Sequence, residues 1–62
     1  MLTIVIDTSF ASMRDEYLGI EAARILRTLA DKLQRDAPDV QERYVLRDIH
    51  GNRVGEATVE RD

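Results

Sequence analysis

"RYVLRDIHGNRVGEATVE", residues 43–60, decides what kind of fold this chain can have. Two runs rich in β-branched and aromatic residues flank His50-Gly51-Asn52. Gly51 and Asn52 tolerate positive φ, so the stretch reads as a β-hairpin of strands 43–49 and 53–60 around a three-residue loop. Gly55 interrupts the alternation of the second strand: Val54 has one parity, Ala57 and Val59 the other. A bulge near Gly55 would bring all three to one side.

Upstream, "LTIVID" (2–7) reads as another strand, with Leu2, Ile4 and Ile6 on one face and Thr3, Val5 and Asp7 on the other. "TSFASMRDE" (8–16) is a polar connection with two apolar outliers, Phe10 and Met13. From about Asp15 to Asp36 the spacing predicts a helix whose apolar stripe is Leu18, Ala22, Ile25, Leu26, Leu29 and Leu33. Asp15 and Glu16 suit its N-terminal end, Lys32 and Arg35 its last turn. Pro38 restricts Ala37 and closes the helix near Asp36. Arg27, Asp31 and Arg35 pair at i,i+4 as a solvated outer face.

The order is β-α-β-β, a single small α+β domain over residues 1–62. The helix needs a sheet under its stripe. Placing the third strand between the first and second makes both pairs antiparallel, which predicts strand order 1-3-2. The sheet face away from the helix should then carry Val5 with some of Tyr44, Val45, Leu46 and Ile49, because both parities of the second strand contain apolar residues. Together with Ile20, alone on the charged side of the helix, Val5, Val45 and Ile49 are the candidate interaction residues. A homodimer closing that far face is the simplest expectation, since a two-fold interface needs one self-complementary surface.

Composition narrows the function classes. A chain of 62 residues builds a thin core, and small domains usually add a staple. With no Cys and one His, neither a disulfide nor a zinc finger is available. Self-association or a protein partner is the remaining staple. A net charge of −3 disfavours phosphate-neutralising nucleic-acid binding. The absence of a membrane-length apolar run or a basic-then-apolar leader predicts a soluble, cytoplasmic protein without membrane contact.

Two short stretches invite a catalytic reading. Asp48-Ile49-His50-Gly51-Asn52 resembles the first metal-binding motif of the calcineurin-like metallophosphoesterases. That chemistry needs further Asp, Asn and His ligands from later loops. Only ten residues follow Asn52, with no His or Asn among them and Asp62 as their single aspartate. "VIDTS" (5–9) resembles the start of PIN-type nucleases, which use three or four acidic residues over about twice this length. Asp31, Asp36 and Asp39 are poorly placed to join Asp7. Asp48 therefore reads as a bend residue with His50 at the loop tip, and Asp7, Thr8 and Ser9 as a strand-ending Asx or Ser/Thr turn. Ser9 and Ser12 lack a nucleophile-elbow context, and no glycine-rich phosphate loop exists. The expectation is no catalytic, metal or cofactor residue, with a metal-dependent phosphoesterase or nuclease fragment as the alternative of another class.

The combination "IDTS…EAARILRTLADKLQRD…LRDIHGNRVGEATV" resembles a set of small bacteriophage and prophage proteins of mostly unassigned function. They pair an "ARILR-LAD-L" helix with an "LRD-NGN-VG-A" hairpin. This chain departs by placing His50 where Asn is commoner. The resemblance implies a phage accessory protein acting in the cytoplasm of the bacterial host. Such proteins often bind host or anti-phage defence proteins as stoichiometric inhibitors; a virion structural or assembly role is the alternative.

Overall fold

A computed structural model of the protein describes residues 1–37 and 41–61. Asp39 and Pro38, named above, lie outside the described residues, as does Asp62. Strand β1 (Leu2–Ile6) is followed by a 3₁₀ turn (Ala11–Met13), helix α1 (Tyr17–Asp36), and strands β2 (Glu42–Arg47) and β3 (Arg53–Val59). The sheet order is β1-β3-β2 with both pairings antiparallel, as the sequence predicts.

The irregularity at Gly55 organises the sheet. Leu46 pairs with Gly55 and Arg47 with Arg53, so Val54 is the extra residue of a bulge. The bulge resets the alternation, and Val54, Ala57 and Val59 all join the core beneath the helix. Gly55 itself answers a close approach. A Cβ there would lie 2.0 Å from the Val5 carbonyl oxygen on β1.

Cross-strand rows define the two faces. Ile4–Ala57–Tyr44 and Ile6–Gly55–Leu46 lie on the helix side. Thr3–Thr58–Arg43 and Val5–Glu56–Val45 lie on the far side. Val5 and Val45 lie on the far face as expected, but Glu56 stands between them. Tyr44 and Leu46 turn inward, and Glu56 holds the far-face centre with Arg53 at 3.1 Å and Arg43 at 3.8 Å.

The helix buries less of its stripe than its spacing predicts. Ile25 and Leu29 are buried and Leu33 packs against the core, but Leu26 is 42% exposed and Leu18 is exposed too. Position explains it. The flank carrying Arg24, Thr28 and Lys32 lines a groove with β2, so the opposite flank, with Leu26, faces the β1 side. β1 is the last strand of the sheet on that side, and Leu26 stays partly uncovered.

Met13 and Phe10 find roles here. Met13 is buried, and Phe10 packs against the same cluster, so the connection is anchored across the core. The helix starts two residues later than predicted because Asp15 is left-handed (φ 52), a conformation Asp tolerates better than most residues. It ends at Asp36 as predicted. The stop, however, is a left-handed Ala37 whose N–H donates to the Leu33 carbonyl at 2.8 Å, rather than an extended residue. Arg35 meets its neighbour Asp36 at 3.5 Å, and the expected Arg27–Asp31 and Asp31–Arg35 pairs do not form among the described residues. Tyr44, whose hydroxyl donates to Asp36 at 3.2 Å, ties β2 to the helix end. No helix among the described residues is long and apolar enough to cross a membrane.

Candidate docking surface at the hairpin tip

Asp48 shapes the hairpin tip. β2 ends at Arg47 rather than at Ile49, so the loop runs over five residues instead of three. The reason is the Asp48 side chain. Its Oδ1 accepts the backbone N–H groups of His50 (2.9 Å) and Asn52 (2.8 Å). Its Oδ2 accepts the Asn52 side-chain amide (3.1 Å) and the Ser12 hydroxyl (2.8 Å). The Gly51 N–H donates to the Asp48 carbonyl at 3.0 Å, closing a turn that Gly51 completes at φ +83.

Burial pushes the Asp48 carboxyl up. The hydrogen bonds from Asn52, Ser12 and the backbone outweigh that and hold it at about 2. All four of its acceptor sites are engaged by donors within the protein. Asp48 is a structural acceptor, and the bend reading of this motif describes what the geometry contains. Asp7 behaves in kind: it accepts the Ser9 N–H at 2.9 Å, and the Ser9 hydroxyl and backbone lower its pKa. Among the described residues, no three His, Asp or Glu side chains gather in a metal-holding group.

A second polar cluster braces the loop from the helix. Glu21 is buried and accepts the Arg24 guanidinium. Arg24 also donates to the Arg47 carbonyl at 3.1 Å, and Arg47 donates to the Gly51 carbonyl at 3.0 Å. The Glu21–Arg24 spacing of three was the available sequence signal. Nothing in the pattern marked Glu21 as buried.

The braced loop presents Ile49 outward. Ile49 and Ile20, each 67% exposed, line one open groove of about 460 Å³ with Tyr17, Ala11 and His50. Ile49 also lines the groove on its other side, between Arg24, Lys32 and β2. Two of the four candidate interaction residues therefore meet. The other two, Val5 and Val45, flank Glu56 on the far sheet face and belong to a different surface. Tyr17, exposed beside Ile20, was missed because a single aromatic at a helix start carries no distinctive pattern.

Compared with protein-family models, curated proteins and solved structures, the chain has no significant match.

Proposed function

We propose that this protein works as a protein-binding module, docking a partner on the surface formed by Tyr17, Ile20 and Ile49. The supporting observation is that Ile20 and Ile49, 29 residues apart in sequence, are both solvent-exposed at one groove. Clustered exposed apolar side chains with an aromatic are the composition of interface hot spots. The loop beneath them is held by Asp48 and Arg24, so docking costs little ordering entropy. The resemblance of the helix and hairpin wording to phage accessory proteins supports a host or anti-phage defence protein in the bacterial cytoplasm as the partner. Inhibition by occupation of that partner's surface is the mode that needs no catalytic residue.

The test is affinity capture from host lysate with the wild-type chain and with Ile20→Asp/Ile49→Asp as baits. The expected result is a stoichiometric partner retained by the wild type and lost by the variant at unchanged circular dichroism. Equal retention by both baits overturns the surface. Recovery of a virion component instead of a host protein would assign the protein to assembly.

A further inference from the structure

We infer that this chain pairs with a second copy of itself along the free edge of β1. The sheet has two edges, β1 and β2. β2 is the protected kind, with Glu42, Arg43 and Arg47 in its six residues. β1 is "LTIVI", without charge or proline, and its pairing with β3 runs unbroken from Leu2 to Ile6. Natural sheets seldom leave such an edge open.

Hydrogen-bond direction makes that edge self-complementary. The Glu60 N–H donates to the Met1 carbonyl at 2.9 Å and the Met1 nitrogen donates back to the Glu60 carbonyl. The Asp7 N–H likewise donates to the Val54 carbonyl at 2.7 Å. Odd-numbered residues of β1 therefore face β3, and the N–H and C=O groups of Leu2, Ile4 and Ile6 point away from the sheet. A two-fold axis normal to the sheet, just outside Ile4, sets Ile4 opposite its own copy and Leu2 opposite Ile6 of the second copy. Every outward group then meets a partner, and two three-stranded sheets become one.

The same operation covers apolar surface that the fold leaves bare. Both helices stay on one side of the joined sheet. Leu2 (48% exposed) and Ile4 (40%) of the two copies become neighbours beneath them, with the Leu26 flanks facing the gap. On the other side Val5 gains Thr3 of the second copy. No charged side chain lies within β1, so two chains of net charge −3 meet without like charges at the seam. The seam is five residues long on each side, short beside the extent of a permanent interface. The expected dimer is reversible.

Sedimentation equilibrium of the purified chain tests this, together with residue-resolved amide exchange over a concentration series. The expected result is a shift from 7.1 kDa towards twice that mass. Protection should rise with concentration at Leu2, Ile4 and Ile6, while Thr3 and Val5 are protected throughout. Ile4→Lys should abolish the mass shift. If that variant proves unfolded, Ile4→Pro adds no charge, takes away an outward N–H that the seam needs, and should do the same. A monomer up to millimolar concentration overturns the inference, as does a dimer split by Val45→Asp but not by either Ile4 variant. The partner-capture experiment concerns Ile20 and Ile49, so either result can fail alone.

Discussion

The Ser12 hydroxyl donates to the Asp48 carboxylate at 2.8 Å, bridging 36 positions of sequence. It fastens the connection after β1 to the tip of the β2–β3 hairpin, at the opposite end of the core from the Tyr44–Asp36 contact. Ser12→Ala should therefore cost about 1 kcal/mol, because one Asp48 acceptor site loses its donor. A melting curve should fall by about 4–8 °C. An unchanged Tm would show that the bond contributes nothing.

Acid should release the same lock. The Asp48 carboxyl lies at about 2 in the fold against 3.8 for the ordinary group, a lowered pKa. Its contribution to stability is complete above the unfolded value and is lost as pH falls from about 4 through about 2. Asp7, lowered in the same direction, adds to the trend. Urea midpoints measured between pH 5 and 2 should drop across this window, and Asp48→Asn should flatten the drop.

Two leucines three positions apart should behave oppositely. Leu29 is 3% exposed and Leu29→Ala should cost about 2–5 kcal/mol, a large share of so small a domain's stability. Leu26→Ala, on the open flank, should cost less than about 1 kcal/mol in dilute solution. Urea denaturation of both variants at low micromolar concentration makes the comparison.

Two glycines should also differ. Gly51→Ala meets nothing within 4 Å and suffers only its positive φ, about 1 kcal/mol. Gly51→Asn should be milder still. Gly55→Ala drives a Cβ into the Val5 carbonyl and should detach β1. Loss of amide protection at Thr3 and Val5, with the Tyr44–Ala57 rungs retained, is its expected signature.

The strand order and the bulge were legible because they depend on parity. Val54, Ala57 and Val59 share a side only if one residue is added, and β3 can sit in the centre with two antiparallel neighbours. The far face was legible only in part, because parity alone cannot say which of the two apolar sets of β2 turns inward. Pairing of Tyr44 with the buried Ala57 decides that Tyr44 and Leu46 do. The exposed Leu26 was equally hidden: helical spacing shows which residues share a face, not how far the sheet extends beneath them. The Ile20–Ile49 encounter depends on where β2 stops, and that is set by four hydrogen bonds to one carboxylate.

The pairing of Leu2 with Val59 also bears on how the chain is born. β1 leaves the ribosome first, yet its partner strand comes some fifty residues later. At roughly 5–20 residues per second, an apolar, uncharged strand waits on the order of 3–10 seconds with nothing to bond. Helix α1 can form meanwhile from local contacts, but β1 must await β3 and the closure of a loop of some fifty residues. During that interval "LTIVI" on neighbouring nascent chains is free to pair, so crowded polysomes are where this protein is most exposed to misassembly. Slower translation of the codons for residues 42–59 should lower its soluble yield.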